Sequence, residues 1–365
     1  MASVDLETAK RAKTFVVMMG LVAMFGDMTY EGARGRVGPY LNILGASATV
    51  VGFVAGLGEF VGYGLRLATG WLADRWKSYW LFVALGYSVN LVAVPGLALV
   101  GDWPAAIALI VLERMGKAIR SPSRSALVSY AAQSAGVGKS FGIDEALDQL
   151  GAFLGPMITA GVVWGLRSEP APARLQTAFA VLLLPVIANL LMLALAKRKF
   201  PRPDLFETRT DIVRVHYGSS MRLFLVAASF MALGFADWAL IAFHVNKTTA
   251  IDLALLPVIY AGVMGVDAVS ALVLGAYFDR RGLWALVWGV AASAGFAPLV
   301  FWFSNSYALL GGAVLGAIGL GAQESIFKAA IAQMVPKNER AKAYGQFFAV
   351  FGCAWWLGSA LMGWA

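Results

Sequence analysis

Cysteine and histidine are almost missing from this 365-residue chain, which holds one Cys and two His. Cys353, inside a late apolar run, has no partner for an intramolecular disulfide and rules out a Cys-rich metal or redox centre. With two His, a transition-metal site would need carboxylates for most of its ligands, so no metal cofactor is expected. Charge is scarce as well, at 14% Asp, Glu, Lys and Arg. There is no GxxxxGK[ST] nucleotide loop, and no polar stretch is long enough for a soluble catalytic domain, so the chain does not read as an enzyme. A cleavable signal peptide is not expected, because Lys10, Arg11 and Lys13 lead straight into a full-length apolar span. Low-complexity tracts are absent.

What the chain has is apolar sequence. It is 59% hydrophobic with 12 Trp, and runs of about 20 apolar residues, the length of a membrane crossing, recur from end to end. The pattern predicts eleven spans near 14–36, 46–69, 79–100, 104–131, 140–163, 174–196, 221–243, 253–275, 283–303, 306–334 and 342–364. The net charge of +8 is no nucleic-acid patch, since it is distributed over alternate loops. Lys10, Arg11, Lys13, Arg75, Lys77, Lys139, the segment from Lys197 to Arg214, Arg280, Arg281, Lys337, Arg340 and Lys342 fall on one side. Little beyond Arg167, Arg174 and Lys247 falls on the other. The positive-inside rule then makes the N-terminus cytoplasmic in a multi-pass protein of the cell (inner) membrane, with the bilayer as its medium.

The stretch from Thr14 to Pro39 is apolar enough to enter a bilayer, yet it holds Asp27, Glu31, Arg34 and Arg36. A charge at mid-bilayer costs roughly 2.5–3.5 kcal/mol on insertion scales and is kept where it faces protein or water. Asp27 and Glu31, four residues apart, share one side of a helix. At ~1.5 Å of rise per residue, Asp27 lies roughly 20 Å from the cytoplasmic edge, Arg114 about 15 Å, and Glu59, Lys117, Asp148 and Asp267 about 10–12 Å. Opposite signs at similar depth in different helices point to a central polar cavity with internal ion pairs. Arg114 is the expected partner of Asp27 or Glu59. Lys117, Arg120 and Arg124 continue as a basic stripe, read either as a lining for an anion or as partners of Asp144, Glu145 and Asp148.

The chain also repeats itself. Phe25-Gly26-Asp27-Met28 is answered by Phe235-Ala236-Asp237-Trp238, and Gly58-Glu59 by Val266-Asp267. Gly70-x-x-x-Asp74-Arg75 is answered by Gly275-x-x-x-Asp279-Arg280, and Lys139-Ser-Phe-Gly142 by Lys342-Ala-Tyr-Gly345. These offsets divide the chain into an N-terminal six-helix bundle at 1–196, a polar cytoplasmic linker at 197–220 and a C-terminal bundle at 221–365. Parallel repeats with a polar site between them are an architecture of secondary transporters.

The two Gly-x-x-x-Asp-Arg loops resemble the major facilitator superfamily signature between the second and third helix of each half. The stretch from Glu113 to Arg124, followed by Phe141-Gly142 and Leu150 to Pro156, resembles a little-characterised bacterial branch of that superfamily. The resemblance covers essentially the whole chain, with two departures. Lys77 stands where the first loop usually has Gly, and the chain ends after an eleventh span where the family has twelve, as though the last helix were missing.

The resemblance implies an all-α membrane protein in which two pseudo-symmetric helical bundles enclose a central cavity and move a small-molecule solute by alternating access. It implies a monomer without nucleic-acid partners or cofactors, driven by a proton gradient. Asp27, Arg114 and Glu59 would couple the proton: a carboxylate paired with Arg holds protons less tightly than one left in an apolar pocket. The cavity would be lined by Tyr30, Glu31, Arg34, Lys117, Asp148, Asp237, Trp238, Asp267, Gln323 and Glu324, with His244, Lys328, Phe347, Phe348, Phe351, Trp355 and Trp356 as further candidates. Gly70, Asp74, Arg75, Arg124, Asp279 and Arg280 would form the cytoplasmic gate, with the acids at helix ends and beside neighbouring arginines and Arg124 at the membrane surface. Gly151-x-x-x-Gly155-Pro156 permits close helix packing and a kink, and it resembles a helix-five motif of antiporters, which favours export. A symporter or uniporter for an organic anion, and a membrane sensor or assembly factor on the same scaffold, are the alternatives. The coupling role predicts that Asp27→Asn loses pH-dependent transport. Transport at the wild-type rate with an unchanged pH profile would contradict it.

Overall fold

The computed structural model describes residues 6–207, 217–235, 241, 256–303 and 305–364, with the side chains of 48–60, 217, 256–258, 363 and 364 left aside. Among the described residues the chain is helical and forms no strand. Its long helices are α1 (Leu6–Ile43), α2 (Ala48–Trp76), α3 (Tyr79–Gly96), α4 (Trp103–Ala135) and α5 (Val137–Gly165). They are followed by α6 (Ala171–Val181), α7 (Leu183–Lys199), α8 (Tyr217–Leu233) and α9 (Leu256–Arg281). The chain closes with α10 (Trp284–Ser293), α11 (Phe296–Phe301), α12 (Ser306–Gly321), α13 (Phe327–Met334) and α14 (Arg340–Trp364).

Among the described residues eight helical stretches are long and apolar enough to cross a membrane. With α2, α4 and the shorter α8 they make up the eleven predicted spans. Three of those spans are not single rods. Pro185 and Pro298 each lack the N–H that would bond the carbonyl four residues earlier, and the helix breaks at Leu182 between α6 and α7 and at Ala294 between α10 and α11. The tenth span carries a π-turn, Ala322–Ile326, between α12 and α13. The spans are also longer than hydropathy alone indicates: α1 has 38 residues and α4 has 33, about 57 and 50 Å against a hydrocarbon core of about 30 Å. The seventh span is described as far as Phe235, so Asp237, Trp238 and His244 lie outside the described residues, as does the Glu59 side chain.

Polarity is distributed as a bilayer requires. Large apolar side chains such as Leu99, Trp302, Phe230 and Leu184 face outward, while Asp144, Glu145, Arg120, Arg124 and Asp267 are buried. A charge in this interior is tolerated because it meets a partner or the cavity.

Small residues let backbones touch at the centre of the bundle. A Cβ at Gly151 would strike the carbonyl of Met24, and one at Gly155 that of Met28, so α5 lies directly on α1 at the level of Asp27. Thr159 adds a hydrogen bond from its hydroxyl to Gly32 O at 2.9 Å. The helix runs unbroken through Pro156.

The end that carries the two Gly-x-x-x-Asp loops is shut by contacts between distant parts of the sequence. Gly70 packs on the Ala341 carbonyl and Gly345 on that of Arg66, while Gly138 and Gly275 pack on each other's carbonyls and Gly142 on that of Ala271. Asp74 Oδ2 accepts from the Lys342 N–H at 2.7 Å and Oδ1 from the Ala341 N–H at 3.3 Å, at the start of α14. Asp279 does the same at the start of α5, with Gly138 N–H at 2.7 Å and Lys139 N–H at 3.0 Å. Each acid thus sits at the positive end of a helix from the other part of the chain. Among the described residues neither acid pairs with an arginine of a neighbouring helix; the arginines that follow them stand apart, Arg75 over the Trp71 ring at 5.2 Å and Arg280 exposed. Helix N-terminal N–H groups, which have no partner inside the helix, supply two donors to each acid, and the Tyr79 hydroxyl adds a third to Asp74 at 2.8 Å.

The α1–α5 contact predicts that Gly155→Ala lowers stability by roughly 1–3 kcal/mol through overpacking. Gly161→Ala, whose Cβ meets nothing within 4 Å, should leave the thermal melt no lower, and slightly raised by the better helix propensity of Ala. Equal melting of the two variants would contradict this packing.

Candidate functional site

A cavity of about 870 Å³ opens between the two sets of helices. From the first six spans it is lined by α1, α2, α4 and α5, and from the rest by α9, α12, the π-turn, α13 and α14. Its floor is the closed end just described: below Arg124, residues 126 to 132 of α4 are all buried. At its other end Arg34 has a side chain 47% exposed, and Trp356 is exposed too.

Four residues of α1, spaced three or four apart, face this space: Asp27, Tyr30, Glu31 and Arg34. They meet the basic stripe of α4 running the opposite way, so that rising along α1 means descending in number along α4. Asp27 lies 3.7 Å from Arg120. The Lys117 ammonium sits 3.7 Å from the Tyr30 ring centroid. Arg114 donates to the Tyr30 hydroxyl and lies 3.4 Å from Glu113. The expected pairing of Asp27 with Arg114 is therefore replaced by one about a turn and a half lower on α4. Counting residues from the span edges could not find this register, because α1 and α4 both overrun the membrane and neither end fixes a depth.

The outer part of the cavity centres on Tyr30. Besides Lys117 and Arg114, Arg34 approaches its ring at 5.9 Å and also pairs with Glu31 at 3.1 Å. Such contacts draw on the negative face of the aromatic ring. Behind them Glu113, buried, accepts from the Asn90 amide at 2.8 Å, and Arg120 donates to the Tyr87 hydroxyl at 3.1 Å. Neither Asn90 nor Tyr87 stood out in the sequence, since a lone Asn or Tyr in an apolar run carries no pattern. Gly86 and Gly116, between which α3 and α4 touch backbone to backbone, were the available signal.

The floor is acidic and joins distant parts of the chain. Lys328 of α13 pairs with Glu145 of α5 at 3.1 Å. The Gln149 amide donates to Glu145 at 3.0 Å and to Asp267 of α9 at 2.9 Å. Arg124 pairs with Asp144 and donates to the Met19 carbonyl at 3.3 Å. Arg124 is thus a buried floor residue, not the surface residue expected. Of the two readings of the basic stripe, Arg124 follows the one that pairs it with a helix-five acid, Asp144, whereas Arg120 is paired with Asp27 of α1 instead. Asp148 and Glu324 line the cavity beside this network. Gln323, on the π-turn and 2% exposed, has both amide atoms without a partner among the described residues, and Asp267 has one free oxygen. π-turns interrupt the regular backbone register and recur where side chains are aimed at a site.

Of the aromatic candidates, Phe347, Phe348, Phe351, Trp355 and Trp356 of α14 line the cavity with Tyr30. Tyr63 and Arg66 of α2 complete that wall, the guanidinium lying 4.9 Å from the Tyr63 ring and 5.3 Å from that of Phe348. Among the described residues no group of three His, Cys, Asp or Glu side chains could share a metal ion.

Solved structures of similar shape are transporters. The chain matches a bacterial homologue of the iron transporter ferroportin in an outward-facing state with a TM-score of 0.68, at 14% identity over 95% of this chain and 91% of that one. It matches the human organic anion transporter TETRAN with a TM-score of 0.66, at 15% identity over 97% and 93%. The E. coli fucose:proton symporter FucP matches with 0.67, at 14% identity over 96% and 91%. At these identities the likeness is one of fold.

Sequence relatives are nearer. An uncharacterised protein of Mycobacterium tuberculosis is 38% identical over 98% of this chain and 87% of its own length. An uncharacterised MFS-type transporter of Methanocaldococcus jannaschii is 32% identical over 40% of this chain and 36% of its own. The sequence profile of the Major Facilitator Superfamily matches residues 15–359. With that match over nearly its whole length, an all-α fold and this set of neighbours, the chain belongs to the Major Facilitator Superfamily.

Proposed function

We propose that the protein is a secondary active transporter that moves a small organic solute across the cell membrane by alternating access, as a monomer with its N-terminus in the cytoplasm. The halves that rock would be 1–196 and 221–365, joined by the linker 197–220. The observation that carries this reading is a cavity of about 870 Å³ lined by charged residues from both parts of the chain and shut at one end by Asp74 and Asp279. If the basic loops are cytoplasmic, the closed end is the inner one and the cavity faces outward. A sensor or scaffold would have no use for so many charges in a bilayer interior.

The proton gradient is the driving force in this reading. Asp27 stands 3.7 Å from Arg120, a looser contact than the hydrogen-bonded pair of Arg34 with Glu31. A carboxylate and a guanidinium at that separation can part when the helices move, leaving the acid to take a proton. Arg114, further along the basic stripe of α4, and Glu59 of α2 remain in the coupling proposal. Export is favoured over uptake by the Gly151-x-x-x-Gly155-Pro156 motif and its resemblance to that of antiporters. Gly70, Asp74 and Asp279 form the inner gate, with Arg124 beneath the cavity.

Reconstitution tests this directly. Purified protein in liposomes, given an imposed pH gradient and a panel of cationic, neutral and anionic solutes, should move protons when a substrate is supplied. Proton movement opposite to the solute identifies antiport, and movement with it symport. No solute-dependent proton flux with any compound would overturn the reading and favour the sensor or assembly role.

A further inference from the structure

Lys117 lines the cavity, yet the described residues give its ammonium no carboxylate partner. Its contact is the Tyr30 ring, 3.7 Å away at the centroid. Of the described acids beside it, Asp27 faces Arg120 at 3.7 Å and Glu31 holds Arg34 at 3.1 Å. Glu113 is taken by Arg114 at 3.4 Å and by Asn90. Among the described residues no carboxylate lies within ion-pair reach of this ammonium, so its N–H donors are left facing the cavity. An acidic group entering the cavity would accept from them in a charge-assisted hydrogen bond.

The rest of the cavity fixes what such a solute looks like. Phe347, Phe351 and Trp355 of α14 follow one another at four-residue spacing and form an apolar face along one wall. The floor is acidic, with Asp148, Asp267 and Glu324 near Lys328, whose charge is already matched by Glu145. That end is already occupied by side chains bonded to one another, Lys328 with Glu145 and Gln149 with Asp267, which leaves the α4 wall as the resting place of an acidic head.

We propose that the solute is an amphipathic organic anion, its acidic group docked on Lys117 against the Tyr30 ring and its apolar body along the aromatic face of α14. This rests on the transporter reading above and names the chemistry of its cargo.

The test uses the full chain in lipid nanodiscs, at one pH and without a gradient, with three probes sharing a ring system: naphthylacetate, naphthylacetamide and naphthylmethylamine. Equilibrium binding should favour the carboxylate over the other two by roughly tenfold or more, the scale of one hydrogen bond to a charged group. Lys117→Gln should abolish that preference while leaving binding of the amide unchanged, and Lys117→Arg should retain it. Equal binding of the three probes, preference for the amine, absence of carboxylate binding, or a preference that survives in Lys117→Gln would each overturn the proposal. The two readings fail separately. Carboxylate binding without solute-driven proton flux in liposomes overturns the coupling and keeps the site, whereas flux driven by an amine without carboxylate binding does the reverse.

Discussion

Two aspartates bridge distant parts of the chain at the closed end of this structure. Asp74 and Asp279 each accept two backbone N–H groups from the first turn of a helix far away in sequence, α14 and α5 respectively. A helix N-terminus presents donors with no partner inside the helix and a partial positive charge, so one carboxylate satisfies both at once. The glycines beside each acid make the approach possible: Gly70 lies on the Ala341 carbonyl and Gly275 on that of Gly138. Everything above this seal, including the depth of the cavity and the burial of Arg124, follows from that end being closed.

The seal is reciprocal because the chain repeats. The last turn of α2, through Asp74, grips the start of α14, and the last turn of α9, through Asp279, grips the start of α5. Backbone geometry keeps the same symmetry. Lys77 has φ of 54° and Gly282 has 60°, so both loops turn through the left-handed region. Glycine enters that region freely, whereas a residue with a Cβ does so at a cost of roughly 1–2 kcal/mol. Lys77 gains a compensating contact, its ammonium donating to the Asn338 carbonyl at 3.0 Å across the seal. The departure from the usual glycine is thereby turned into a further link between the two parts of the chain.

Much of this was legible in the sequence, and what was not has a physical reason. The repeated Gly-x-x-x-Asp-Arg and Lys-x-x-Gly segments, noted separately as repeats, prove to be the two sides of one contact. Apolar run length found the eleven spans, because crossing a bilayer imposes a length. It could not find the breaks at Leu182 and Ala294, which depend on single prolines inside otherwise continuous runs. The cavity-facing side of α1 was readable from the spacing of Asp27, Tyr30, Glu31 and Arg34. Its partner register on α4 was not, since Arg114, Lys117, Arg120 and Arg124 all share a face and only packing chooses among them. The neutral members of the network, Asn90, Tyr87 and Gln149, were silent because their role comes from long-range contacts that no local pattern encodes.

If the two aspartates keep the lower end shut, a thiol placed behind them is shielded from solvent. Ala332 of α13 accepts a hydrogen bond from Gln133 across the seal at 3.0 Å and is fully buried. A cysteine placed there, as Ala332→Cys with Cys353→Ser to remove the native thiol, reports on opening through its rate of reaction with a membrane-impermeant maleimide. The thiol should be protected while Asp74 and Asp279 are intact. It should label roughly tenfold faster or more once both are changed to Asn, the scale expected when hydrogen bonds to a charged group are weakened. Equal labelling rates in the two backgrounds would contradict the account.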